Sequence, residues 1–241
     1  MPRFIGLIPA AGGGTRLGAA LPKQYLAIAG KPLLYHAVAS LLADERIAQV
    51  YVILAPGDAH FHAHDWTGLG ERMVPLYCGG EVRAASVYNG LLAVNDAVDA
   101  DDRVLVHDAA RPCLTRAALG RLMDECGDDP AGGLLAIPVA DTLKRGDGEQ
   151  RVVATSPREG LWRAQTPQMF RYRLLLEALH AAPLREVTDE ASAVERLGLH
   201  PRLVLGEACN VKVTYPDDLA LAELLLADAR KRSASHCKDA A

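Results

Sequence analysis

Short apolar runs rich in β-branched residues alternate with longer stretches of helical spacing over the first 140 residues, and few architectures accept that order. The runs at residues 4–9, 50–54, 73–77, 103–107 and 134–139 are bounded by Gly, Pro or Asp, as buried strands are. Between them, residues 32–42, 81–94 and 115–126 carry apolar side chains at helical spacing. Strand and helix in alternation give an α/β fold, a mainly parallel sheet with helices on both faces.

The alternation stops near residue 140. Residues 140–165 are polar and charged, and Gly146-Asp147-Gly148 reads as a turn between two extended strands. A hairpin of about 25 residues with so little to bury is not stable alone, so a protruding β-arm that leans on something else, such as a second subunit, is expected. Helix-like spacing returns at 171–181 and 189–197, followed by a strand at 201–205 and a last helix from Pro216 to about Arg230. Thr214 and Asp217 stand at capping-box-like spacing, with Pro216 in the first turn. The expected organisation is one domain over residues 1–230, with the arm at 139–165 and a disordered tail at 231–241.

Charge and composition narrow the function classes. The 26 Lys+Arg against 30 Asp+Glu give a net charge of −4, which argues against a nucleic-acid or membrane-surface binder. Aromatic residues at 5% argue against a stacking platform for single strands. No apolar stretch approaches the ~20 residues of a membrane span. The N-terminus lacks a signal layout, and the five scattered cysteines contain no Cys-x-x-Cys, so reduced thiols and a cytoplasmic location are expected.

The first apolar run leads directly into Ala10-Ala11-Gly12-Gly13-Gly14-Thr15-Arg16-Leu17-Gly18. A loop at the carboxyl end of a parallel strand is where an open α/β sheet binds ligands, and small residues let backbone N–H groups approach phosphate oxygens. The dinucleotide fingerprint fails, because Leu17 stands where the third glycine belongs. A Walker A loop fails as well, because Ala19-Ala20 follows Gly18 in place of Lys-Ser/Thr. The loop's distinction is charge: the first 43 residues hold Arg3, Arg16, Lys23 and Lys31 and no Asp or Glu. Loop amides flanked by Arg16 and Lys23 suit a triphosphate.

Ala-Ala-Gly-x-Gly-x-Arg followed by Pro22-Lys23-Gln24-Tyr25 resembles the nucleotidyltransferases that activate sugar and polyol phosphates. Four further segments narrow the resemblance: residues 106–112 (Val-His-Asp-Ala-Ala-Arg-Pro), Thr166-Pro167-Gln168, residues 188–193 (Thr-Asp-Glu-Ala-Ser-Ala) and residues 210–214 (Asn-Val-Lys-Val-Thr). In this order, over about residues 4–230, they are similar to the 2-C-methyl-D-erythritol 4-phosphate cytidylyltransferases of the non-mevalonate isoprenoid pathway. The resemblance implies a Rossmann-like, nucleotide-diphospho-sugar transferase-like fold. It implies a reaction of CTP with the polyol phosphate, Mg²⁺ or another divalent cation as cofactor, and a homodimer joined through the arm.

It also implies roles. Arg16 and Lys23 match the family's transition-state stabilisers. Ala10, Ala11, Gly12, Gly14, Gly79, Gly80, Ser86 and Ala109 match its nucleotide-binding positions. Asp108, Thr142, Arg158, Thr166, Thr188 and Lys212 match the residues that hold the polyol phosphate, with Asp108 also the candidate nearest the metal. Thr142 and Arg158 lie on the arm and would complete the neighbour's site. Val82 stands where the family has a second acidic residue, which bears on base specificity. Two alternatives stand beside this reading: a ribitol 5-phosphate cytidylyltransferase, which shares the glycine loop and Pro-Lys-Gln, and a non-catalytic nucleotide-binding module. His60, His62 and His64 alternate in a way that could align three imidazoles on one strand face for a metal, but their place after Pro56-Gly57-Asp58, away from the other motifs, favours a solvated loop or helix start.

Overall fold

The computed structural model describes residues 2–13 and 21–239, with side chains as far as residue 232. In chain order its elements are β1 (Phe4–Pro9), β2 (Ala27–Ile28), β3 (Lys31–Pro32), α1 (Leu33–Leu42), β4 (Ile47–Ile53), β5 (Met73–Leu76), α2 (Arg83–Ala93), β6 (Arg103–Val106), α3 (Arg116–Cys126) and β7 (Gly133–Pro138). There follow β8 (Leu143–Gly146), β9 (Val152–Ser156), β10 (Trp162–Arg171), α4 (Tyr172–Ala181), α5 (Glu190–Glu195), β11 (Arg202–Leu205) and α6 (Pro216–Asp239).

Seven strands form one sheet in the order β11-β7-β10-β6-β1-β4-β5. β1 runs parallel to β4 and β6, β4 to β5 and β7 to β11, while β10 is antiparallel to both β6 and β7. Strands β1 and β6 are continuous apolar runs because both faces are covered. On one face α1 and α3 contribute Leu34, Val38, Leu41, Leu119 and Leu122 to a buried layer. On the other, α2, α4 and α5 contribute Val87, Leu91, Leu175, Leu179 and Val194. A third, smaller cluster seats α6 through Ala222 against Ile28, Leu33, Cys113 and Val213. The α/β class, the five strand runs and the helices all lie where their periodicity puts them.

Three local features differ from the sequence reading. β10 is not expected from the sequence, in which residues up to 165 read as part of the arm. Pro167 has no N–H for the ladder and reads as a strand breaker. The structure absorbs it in an irregularity between Ala164 and Gln168, while residues 165–170 stay buried between β6 and β7. The start of α6 is held by Asp218 rather than Asp217. The helix begins at Pro216, so Asp218 is its third residue, and its Oδ2 accepts from the N–H groups of Thr214 and Tyr215 at 2.8 Å each. α6 also runs to Asp239 where the sequence reading ended it at about Arg230, since no Gly or Pro follows to stop it and Asp228 pairs with Arg232 one turn on.

β8 and β9 pair only with each other, as an antiparallel hairpin within 139–165 whose turn is tied by Asp147 Oδ1 to the N–H groups of Glu149 and Arg151. Val152 and Val153 are 65% and 57% exposed, so the hairpin buries almost nothing within its own chain.

Candidate active site

Three loops leave the carboxyl ends of parallel strands of the sheet and converge. Residues 10–13 follow β1, residues 77–82 connect β5 to α2, and residues 107–112 follow β6. With Lys23, Gln24 and Lys212 they enclose a cavity of about 480 Å³. Gly79 permits the convergence: a Cβ there would stand 2.2 Å from the Ala11 Cβ and 2.8 Å from the Leu54 carbonyl oxygen. Ser86 is buried, and its Oγ accepts the Gly80 N–H at 3.0 Å, which fixes the turn before α2. Gln24 donates from Nε2 to the Ala10 carbonyl at 2.7 Å and so ties the root of the glycine loop to the short 3-10 turn at Lys23–Tyr25. Lys23 Nζ donates to the Val213 carbonyl at 2.8 Å.

The wall of this cavity is an ion network. Arg83, the first residue of α2, forks onto Glu190 at 2.6 and 3.1 Å and donates from Nε to Asp108 Oδ1 at 2.9 Å. Lys212 Nζ reaches the other Asp108 oxygen at 2.8 Å, with Arg111 Nε 3.6 Å from it. A cation at a helix N-terminus opposes the helix dipole, so Arg83 depends on the two carboxylates around it. Burial alone would raise the Asp108 carboxyl, but Arg83 and Lys212 outweigh it and hold it well below the usual carboxylate range. Burial raises the Glu190 carboxyl in spite of the Arg83 fork.

Behind this wall lies a second cavity, of about 330 Å³, lined by Thr166, Gln168, Thr188 and Asp189 among others. Among the described residues, Arg83, Asp108 and Lys212 are the ones that line both cavities. Thr166 Oγ1 accepts the Asp108 N–H at 3.0 Å and stands 3.0 Å from His107 Nδ1, while His107 Nε2 lies 2.9 Å from the Arg111 carbonyl. This pattern assigns the neutral tautomer with the proton on Nε2, because the carbonyl needs a donor and the threonine hydroxyl can supply Nδ1.

Burial pushes the His107 imidazole down from 6.5 to about 4. Below pH 6.5 the unfolded chain therefore takes up a proton that the native chain refuses until about pH 4. Stability is full above pH 6.5 and falls through that window by up to ~1.4 kcal/mol per pH unit. Buried His36 shifts in the same sense. Urea titrations at pH 7, 6 and 5 check this; a His107→Asn variant loses its share of the slope.

Of the residues singled out in the sequence, Ala10, Ala11, Gly12, Gly80, Ser86 and Ala109 meet in the first cavity with Lys23. Asp108 and Lys212 stand on the dividing wall, and Thr166 and Thr188 line the second cavity. Gly14 and Arg16 lie outside the described residues. Thr142 and Arg158 line a separate depression on the arm, where Arg158 donates to the Ala140 carbonyl; one chain does not bring them to either cavity. The sequence reading missed the roles of Arg83 and Glu190. The one signal was an arginine at the start of a helix, where a nearby acid is required.

The arrangement does not favour Asp108 as a metal ligand, since each of its oxygens faces a cation that a divalent ion would have to displace. Glu81, the other acid lining the first cavity, pairs with Arg185 at 2.7 Å. Among the described residues no group of three or more His, Cys, Asp and Glu could hold a metal ion. His60 and His64 are half-buried rather than solvated, and their rings pack on Tyr25, while His62 turns away to the Tyr77 hydroxyl at 2.9 Å.

The family model described as 2-C-methyl-D-erythritol 4-phosphate cytidylyltransferase matches residues 4–228. A relative of that description from Nitrosospira multiformis is 56% identical over 94% of this chain and 98% of its own. One from Dechloromonas aromatica is 57% identical over the same shares. Among solved structures, a 4-diphosphocytidyl-2C-methyl-D-erythritol synthase is 40% identical with a TM-score of 0.83, covering 94% of this chain and 99% of its own. The Thermus thermophilus 2-C-methyl-D-erythritol 4-phosphate cytidylyltransferase is 37% identical with a TM-score of 0.75, covering 93% and 98%.

Proposed function

The chain belongs to the 2-C-methyl-D-erythritol 4-phosphate cytidylyltransferase family, and on that premise we propose how its residues divide the work. It is a nucleotidyltransferase that joins CTP and 2-C-methyl-D-erythritol 4-phosphate, giving 4-diphosphocytidyl-2-C-methyl-D-erythritol and pyrophosphate. The observation that carries the assignment of residues is the wall shared by the two cavities. CTP occupies the glycine-loop cavity and the polyol phosphate the Thr166–Thr188 cavity, so the two substrates meet across Arg83, Asp108 and Lys212.

The substrate phosphate is already a nucleophile, so the enzyme supplies position and charge and forms no covalent intermediate. Lys212 leaves Asp108 to hold the incoming phosphate, and Arg83 keeps Asp108 in place as it does so. The amides of residues 10–13 and the N-terminus of α2 receive the phosphates of CTP. Lys23, with Arg16 beside it in sequence, stabilises the charge that develops at the α-phosphorus while pyrophosphate departs. Gly79, Gly80 and Ser86 shape the base pocket. A divalent cation such as Mg²⁺, bound with the CTP phosphates, would offset their charge; Asp108 as arranged, with a cation on each oxygen, does not fit as its ligand.

The protein works as a homodimer in which the 139–165 arm of each subunit delivers Thr142 and Arg158 to the other's polyol phosphate. The exposed valines of the hairpin and the distance of Thr142 and Arg158 from their own cavities support this. A cytoplasmic location accords with the free thiols of Cys78, Cys113, Cys126 and Cys209, and no helix among the described residues is long and apolar enough to cross a membrane.

Complementation tests the reading. Lys23→Ala and Arg158→Ala are each nearly inactive in pyrophosphate release from CTP and 2-C-methyl-D-erythritol 4-phosphate. Unfolded together and refolded, they recover about a quarter of the wild-type rate, because half the dimers are mixed and each mixed dimer has one intact site of two. No recovery places Arg158 in its own subunit's site and removes the exchanged arm.

A further inference from the structure

The short turn that carries Lys23 cannot hold its own orientation. It spans three residues, Lys23–Tyr25, and its internal support is two backbone bonds, Tyr25 N–H to the Pro22 carbonyl and Leu26 N–H to the Lys23 carbonyl. No side chain caps its start. Each of its three side chains leaves in a different direction: Lys23 to the cavity, Gln24 to the Ala10 carbonyl, and Tyr25 into the protein, where it is 2% exposed. Tyr25 ties the turn to a neighbouring loop away from the cavity.

That loop is the histidine-rich segment after β4. Tyr25 Oη donates to Asp58 Oδ2 at 2.8 Å, and Asp58 Oδ1 accepts from the N–H groups of His60 and Phe61 at 2.8 and 3.1 Å. One carboxylate therefore joins the tyrosine to the backbone of the loop. The His64 ring stacks on Tyr25 with centroids 5.3 Å apart and planes 8° from parallel, and the His60 ring leans on it at 5.6 Å and 41°. Trp66 locks the loop by stacking on Phe61 at 4.6 Å and donating from Nε1 to the Phe61 carbonyl at 2.8 Å.

We propose that Asp58, His60 and His64 form a cradle for Tyr25 that positions the Lys23–Tyr25 turn, and with it Lys23. The histidine run thereby serves the phosphate site as a support, in place of a metal site. Tyr25, Asp58, His60 and His64 are positioning residues; they touch no substrate. The inference rests on the proposed catalytic role of Lys23.

The test compares Tyr25→Phe, which removes one hydroxyl and keeps the ring, with His64→Ala, which removes the stacked face. Each is made alone and in a Lys23→Ala background, and kcat and KM for pyrophosphate release are measured together with thermal midpoints. Each single change lowers kcat about tenfold, as misplacing a catalytic group does, with KM for the polyol phosphate within about twofold of wild type. In the Lys23→Ala background neither change lowers the residual rate further by more than about twofold, because residues acting through one group are not additive. Wild-type kcat in both single variants overturns the cradle, as does a tenfold loss that persists without Lys23. Near-normal turnover by Lys23→Ala alone removes the catalytic lysine and the cradle with it; an inactive Lys23→Ala beside fully active Tyr25→Phe and His64→Ala removes the cradle only.

Discussion

Replacing Lys23 with alanine lowers turnover by roughly 10²–10³-fold, or about 2.7–4 kcal/mol of transition-state stabilisation, and leaves the fold intact. The size follows from where the charge sits. Lys23 lines the glycine-loop cavity beside the loop proposed to receive the triphosphate, and its ammonium is already held at 2.8 Å from the Val213 carbonyl. It therefore pays little orientation cost when charge develops on phosphorus. The fold survives because the turn's place is set by buried Gln24 and Tyr25, and the lysine stem is only partly covered. Lys23→Arg does not restore the rate, since a planar fork cannot occupy the place of a compact ammonium. Steady-state kinetics beside a thermal melt separate the two effects. A kcat within a few-fold of wild type excludes Lys23 from the chemical step.

Replacing Glu190 with alanine produces the second large effect, on stability as well as rate. Glu190 has no exposed surface and both its oxygens engage Arg83. Removing one partner of a buried pair costs about 3–5 kcal/mol, and the lower end applies here because Arg83 is 29% exposed and keeps Asp108. For a chain of this length that is a fall of about 6–12 °C in the thermal midpoint. Turnover falls too, because in the proposed mechanism Arg83 holds Asp108 when Lys212 moves to substrate. Replacing both members, Arg83→Leu with Glu190→Leu, restores much of the stability and none of the rate. A Glu190→Ala protein that melts within 2 °C of wild type, read against the ~2–4 °C per kcal/mol expected, would exclude the buried pair as a structural element.

Legibility varied by element for physical reasons. β1, β4 and β6 could be read from their apolar runs because strands covered on both faces have no polar side to blur the pattern. β10 could not, because Pro167 carries a local signal for interruption while pairing with β6 and β7 overrides it. That residues 10–13, Lys23, Asp108 and Lys212 line one cavity accords with charge placed beside small residues and turns in the sequence. Glu190 was not, since its role exists only where α5 packs near the start of α2, 107 residues away in sequence. The histidine run does open a short helix, the 3-10 turn Phe61–Ala63 with His60 before it, but the partial cover of His60 and His64 was not legible, because the ring that covers them belongs to Tyr25.

By itself, the order of residues determined the α/β class, the small-residue loop that follows β1 and the charge of the groups around it, because these depend on short-range pattern and side-chain chemistry. Only the tertiary structure decided that Arg83, Asp108 and Lys212 divide two cavities, that Asp108 is gripped by cations on both oxygens, and that Thr142 and Arg158 lie away from both cavities. Those facts depend on which distant segments are brought within hydrogen-bond reach, and periodicity along a chain carries no record of distance across it.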